Sequence, residues 1–164
     1  MKEFSVIDAL NHIGQEVELF GWVDSKRDHK KIIFIYLRDR TGKIQAVGNE
    51  SLRELSPEDV VKITGLIKAR PERLINPNIP TGTIEVEIVD FEILNKADTP
   101  PIPLDTDGYD IDEELRLKYR YLDLRRARMT RTLKLRSDYI HALRTELYKK
   151  EFTEVETPML TKST

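Results

Sequence analysis

Five stretches of the chain carry apolar residues in the two-residue rhythm or β-branched clustering of strands. They are residues 16–23, 32–37, 44–47, 60–67 and 84–94, the last alternating apolar with acidic positions. Residues 39–43 read as a hairpin loop between the second and third, with Gly42 expected at positive φ. Ser5 and Asp8 have the spacing of a capping box and Gly14 follows as a stop, which predicts a short helix near residues 6–13. A brief helical stretch is expected at 51–55. Thr99, Pro100, Pro101 and Pro103 then end the strand-rich region, because proline continues neither a central strand nor a helix interior. Beyond an acidic connector the period changes. Leu133, Arg136, Ile140, Leu143 and Leu147 step by three or four residues and, Arg136 apart, form an apolar stripe. The segment 130–150 has neither Gly nor Pro and predicts a helix. Residues 151–158 should be extended, since Pro158 disfavours helix before it.

Five short strands with a small helix between the third and fourth fit an OB-fold, a five-stranded Greek-key barrel, better than an open α+β sheet. Gly21 and Gly65 fall inside strand runs, where bulges and tight bends of a closed barrel are expected. The fold class is therefore mostly β, with a helical extension.

Composition narrows the function. The 164 residues contain no cysteine, which excludes a disulfide scaffold, a thiol nucleophile and Cys-ligated metal. His12, His29 and His141 lack the compact spacing of a metal site. No apolar run approaches the roughly 20 residues of a membrane span, and no secretory signal is visible, so a cytoplasmic protein without membrane attachment is expected. The net charge of −2 hides an asymmetry. Residues 76–114 hold eleven acidic side chains against Lys96, whereas 115–136 hold nine basic ones against Asp123. A near-neutral total thus leaves a polyanionic partner open, and a solvated basic face paired with the acidic stretch is the other reading.

Three constellations could carry chemistry. Trp22 and Phe34 flank the basic run Lys26-Arg27-Asp28-His29-Lys30-Lys31. Single-stranded nucleic acid calls for that mixture, rings for bases and cations for phosphates. Trp22 is nevertheless expected in the core, and Phe34 is open between core and surface. Arg70, Glu72 and Arg73, with Asn76-Pro77-Asn78 and Glu85, offer groups that pair with base edges. Asn-Pro-Asn is primarily a turn, and Glu85 a solvent-facing strand residue. Arg120, Arg125 and Arg126 around Asp123 could grip a phosphate backbone, or form an interdomain clasp with Asp123 paired internally. No Gly-rich phosphate loop occurs, and no catalytic triad stands out.

The same residues carry a family resemblance. Gly21-Trp22-Val23 with Arg27-Asp28-His29, Ile33-Phe34-Ile35 with Leu37-Arg38-Asp39-Arg40, and Asn76-Pro77-Asn78 with Thr81-Gly82 and Ile84-Glu85-Val86 follow in order. The block from Leu117 to Arg126 and that from Glu154 to Thr164 complete the series. Together they resemble the N-terminal part of bacterial-type aspartyl-tRNA synthetase, a class II enzyme, over essentially the whole chain. The resemblance implies an anticodon-binding OB domain at 1–98, a hinge at 99–129, and at 130–164 the start of the class II catalytic domain, ending in motif 1. It implies that Phe34 stacks on the central anticodon base, with Arg27 and Gln45 contacting it. Glu85 matches the reader of the first anticodon base and Arg70 a further loop contact. Pro158 matches the motif 1 proline at the homodimer interface.

The implied parent reaction is ATP-dependent aspartylation of tRNA(Asp) through an aspartyl-adenylate, with Mg²⁺. Some members charge tRNA(Asn) as well. His29 matches the histidine of those relaxed forms, while Arg73 departs from their small residue, so discrimination stays open. Motifs 2 and 3 lie beyond Thr164. The resemblance therefore places no catalytic residue and no metal ligand in this chain, and implies that it does not activate aspartate alone. Lys30-Lys31 stands where the family often has Gly-Gly, and Tyr36 where it commonly has Asp. A free-standing nucleic-acid-binding module without ligase activity is the alternative reading.

Overall fold

The computed structural model describes residues 4–159. The chain divides into two compact units, Met1–Pro100 and Pro101–Thr164.

The first unit is a closed five-stranded barrel. Its strands are β1 (Glu16–His29), β2 (Ile32–Arg38), β3 (Lys43–Gly48), β4 (Val60–Ala69) and β5 (Ile84–Asn95), in the spatial order β1-β2-β3-β5-β4. All pairs are antiparallel except β3–β5, a short parallel pairing that aligns Gln45 with Glu85 and Val47 with Glu87. This is the OB-fold arrangement that the strand count and the small helix predict. The helix between β3 and β4 is a 3-10 turn, Glu50–Glu54, capped by Asn49, whose side chain accepts from Ser51 N–H.

Alternation sets the core. Val17, Leu19, Val23, Ile33, Ile35, Leu37, Ile63 and Ile67 all point inward and are fully or almost fully buried. Trp22 departs from expectation. The inward set on β1 runs through the odd-numbered residues, with Gly21 in one of its places, so Trp22 and Phe20 face outward and are 37% and 39% exposed. Gly21 is small because β2 ends against it: a Cβ there would sit 2.5 Å from the Arg38 carbonyl oxygen. At Gly65 a Cβ would meet the Glu87 carbonyl oxygen at 2.5 Å, and the β4–β5 register shifts between Thr64 and Gly65. The expected bulge is therefore present at Gly65; on β1 it lies instead between Val23 and Ser25.

A charged brace locks that second bulge. Arg38 Nη1 donates to Asp24 at 2.7 Å, and Arg38 Nη2 donates to both Glu58 oxygens at 2.9 Å. Lys43 also binds Asp24. In the β2–β3 turn Gly42 has the expected positive φ, 159°, close to extended, and Asp39 closes the turn by accepting from the N–H groups of Thr41 and Gly42. The other oxygen of Asp39 accepts from Val6 N–H at 2.8 Å and ties down the N-terminal turn. There Ser5 N–H and O–H both donate to the Asp8 carboxylate, while Asp8 N–H donates to the Ser5 carbonyl oxygen, and the helix is only the 3-10 turn Asp8–Asn11. Gly14 follows at φ 81°.

Asp59 is fully buried at the start of β4. Burial pushes its carboxyl up, but the Ala97 and Ser56 N–H groups and the Lys96 ammonium outweigh that and hold it below its ordinary value.

The second unit is helical: α1 (Glu113–Lys118), α2 (Arg120–Asp123) and α3 (Ala127–Lys149). The two short helices occupy what reads as connector in the sequence. Asp112 caps α1, accepting from Glu114 N–H at 2.8 Å, with acidic residues in its first turn and basic ones in its last. Asp123 and Arg126 are both fully buried and paired at 2.8 Å; Arg120 takes the other Asp123 oxygen, and Arg126 Nη1 donates to the Thr106 carbonyl oxygen. Asp123 is thus paired internally, as one of the two readings had it. Helix α3 begins three residues earlier than expected. Its stripe is open: Leu133, Leu143 and Leu147 are exposed, as are Phe152 and Val155 beyond the helix. Ile140, Leu143, Leu147 and Phe152 line a groove of about 350 Å³. Residues 152–158 have no regular structure, and the end of the motif 1 resemblance, residues 160–164, lies outside the described residues.

Candidate nucleic-acid interface

Strand register brings most of the sequence-predicted binding residues onto one outer face of the barrel. Because Ile33, Ile35 and Leu37 of β2 point inward, Phe34 and Tyr36 point out. Arg27 of β1 and Val47 of β3 flank Phe34 in the cross-strand row. In the next row Tyr36 lies beside Gln45, and Gln45 beside Glu85. Phe34 is half-buried, between the core and the surface that its sequence left open. The His29 ring stands edge-on to it, centroids 5.6 Å apart.

The second row is polar and interlocked. Gln45 Nε2 donates to Glu85 Oε2 at 2.9 Å. Arg70, at the end of β4, brings its Nε to 3.8 Å from the same oxygen. Its side chain is only 10% exposed, and Nε and Nη1 have no hydrogen-bond partner. The guanidinium thus pairs loosely with the carboxylate and keeps donors that a ligand can engage. The carboxylate can accept from a base edge that carries N–H donors, while the neighbouring ring offers a stacking surface. The loop above this row is tied down by Asn76, whose side-chain amide donates to the Tyr36 hydroxyl at 3.3 Å.

Arg73 is exposed on the 3-10 turn Glu72–Leu74, in the same loop as Arg70. Pro158 is exposed in the other unit. The basic run is less uniform than its sequence suggests. Lys26 is committed to structure, donating to the carbonyl oxygens of Arg53 and Leu55. Asp28 and Arg53 form a latch at the β1–β2 hairpin, Arg53 Nε donating to Asp28 at 2.9 Å. That bond, with a smaller contribution from the Lys30 N–H, holds the Asp28 carboxyl below its ordinary value. Arg53 lies 25 residues from Asp28, and no local signal pairs them.

The comparisons with known proteins agree with this geometry. Residues 17–94 match the family described as OB-fold nucleic acid binding domain, and residues 112–164 match tRNA synthetases class II (D, K and N). The chain is 50% identical to the aspartate–tRNA(Asp/Asn) ligase of Moorella thermoacetica over 99% of its own length. Over almost its whole length it is similar to aspartate–tRNA ligases. To the aspartate–tRNA ligase of Staphylococcus saprophyticus it is 42% identical over 93% of the chain. The chain spans 27% of the length of each of these two synthetases. Among solved structures, asparaginyl-tRNA synthetase from Pyrococcus horikoshii, complexed with asparaginyl-adenylate, matches with a TM-score of 0.79 and 27% identity, covering 97% of this chain and 37% of that one. The aspartyl-tRNA synthetase of Entamoeba histolytica, at 19% identity, shares the fold with a TM-score of 0.84, covering 97% of this chain and 40% of that one.

Proposed function

We propose that the barrel reads the anticodon of tRNA for an aspartate–tRNA ligase. The convergence of Phe34, Arg27, Gln45, Glu85 and Arg70 on one face carries this reading. Phe34 supplies the stacking surface for the central anticodon base, and Arg27 beside it and Gln45 in the next row contact that base. Glu85, held between Gln45 and Arg70, accepts from the first base. Such a division of labour is chemically sound, since stacking tolerates any base while a fixed carboxylate rejects bases without donors. His29, edge-on to Phe34, and Arg73 on the loop are the candidates for tuning tRNA(Asp) against tRNA(Asn). The class II match over 112–164 favours this reading over a free-standing binding module.

The longer protein would aspartylate tRNA in the cytoplasm, using ATP and Mg²⁺ through an aspartyl-adenylate. Among the described residues no three His, Cys, Asp or Glu side chains group to hold a metal. A second copy of the chain is the proposed partner for the open stripe of α3, with Pro158 at that interface.

The test is binding of anticodon stem-loops bearing GUC, GUU or a scrambled triplet, at one salt concentration. Preference for GUC marks a discriminating reader, and equal binding of GUC and GUU over the scrambled loop a relaxed one. Equal binding of all three removes the anticodon assignment.

A further inference from the structure

The β1–β2 hairpin turns on two residues, Lys30 and Lys31, between the paired His29 and Ile32. Lys30 has φ 66°, a left-handed conformation that a side chain with a Cβ resists and glycine accepts freely. The strain is imposed from outside the turn. Asp28 Oδ1 accepts from Lys30 N–H at 2.8 Å, its Oδ2 takes Arg53 Nε, and Arg53 Nη2 donates to the Lys30 carbonyl oxygen at 2.5 Å. Three hydrogen bonds thus fix the backbone of a residue whose side chain contributes nothing to them. Both lysines are exposed, and neither is an ion-pair partner of any described residue. They stand at the tip of the strands that carry Arg27, His29 and Phe34. A strained residue held by a dedicated latch, presenting a solvated cation beside a stacking ring, points to an anion contact there.

We infer that the Lys30-Lys31 tip, set by the Asp28–Arg53 latch, is a site for a backbone phosphate of the RNA whose bases lie on Phe34 and Glu85. The inference rests on the barrel being an RNA reader, and adds a contact blind to sequence. The phosphate anchors the strand while the face below reads bases.

Lys30→Gly separates the two roles of the residue, because every bond of the latch is to backbone or to Asp28 and survives the change. Relief of the left-handed strain should raise the thermal midpoint of the barrel by about 4–8 °C. One lost phosphate contact should lower the slope of log K against log salt by about 0.7. Affinity for the GUC stem-loop then falls about eightfold at 50 mM salt and about threefold at 200 mM. GUC and scrambled loops should lose the same factor. Lys30→Ala should lose the same affinity without the gain in midpoint. Unchanged affinity and salt slope in both variants would overturn the site while leaving the anticodon reading intact. Failure of the unaltered chain to bind any stem-loop would overturn both, and loss of GUC preference alone would show that the tip reads bases rather than phosphate.

Discussion

Phe34 shows how a single side chain can be placed by register and still be ambiguous in sequence. Alternation along β2 puts it outside, yet it sits in a run of six apolar residues whose rhythm does not say which face is buried. Phe34→Ala should weaken stem-loop binding by about 1–3 kcal/mol, the worth of one base stack, and leave the urea midpoint nearly unmoved. A large fall in the midpoint with unchanged affinity would make Phe34 a core residue instead. Asp59 gives the opposite kind of prediction. Its folded carboxyl lies below its unfolded value, so its contribution is complete above about pH 4 and is lost as pH falls through the folded value. Asp59→Ala strips the acceptor from two N–H groups and should cost about 2–4 kcal/mol at pH 7, with a smaller cost at pH 2. Paired urea titrations at the two pH values check the sign. None of this was legible at Asp59 itself, whose partners Ala97 and Lys96 lie 38 and 37 residues away.

At the scale of elements, the strands and the long helix were legible because their apolar periods are strong. Their ends were not. β1 runs to His29, six residues past the expected end, because pairing with β2 continues through polar residues that carry no apolar rhythm. Helices α1 and α2 were missed for a related reason: α1 is held by its Asp112 cap and α2 by the Asp123–Arg126 pair at its end, not by an apolar stripe long enough to count. Gly65 was read correctly as a bulge, and its reason is now explicit. Gly65→Ala should destabilise the barrel by about 2–3 kcal/mol, because the new Cβ meets the Val86 side chain and also the Glu87 carbonyl oxygen, a backbone atom that cannot turn aside. A thermal melt comparing the variant with the unaltered chain decides this. A neutral outcome would mean that β5 slides easily past β4.

The whole chain carries its two surfaces on separate units, a polar reading face on the barrel and an apolar stripe on α3. Open side chains such as Leu143, half exposed, and Phe152, 62% exposed, form a patch that soluble chains cover. Sedimentation should show concentration-dependent association of the chain, and Leu147→Glu should shift it toward monomer without altering stem-loop affinity. Association that survives the substitution would place the interface elsewhere. Residue chemistry alone offered Phe34 with its basic run, and Arg70 with Glu85, as separate candidates; Gln45, and the union of all of them on one face, came only with the family resemblance. What brings Gln45 and Glu85 together is the parallel β3–β5 pairing, which closes the barrel over just three residue pairs. It is also the join that a folding chain makes across about 40 residues. An RNA laid over Gln45 and Glu85 would span that join like a suture. Bound RNA should then slow amide exchange at Ala46 and Val86 more than at the β1–β4 contacts, coupling recognition of the anticodon to the rate at which the cylinder opens.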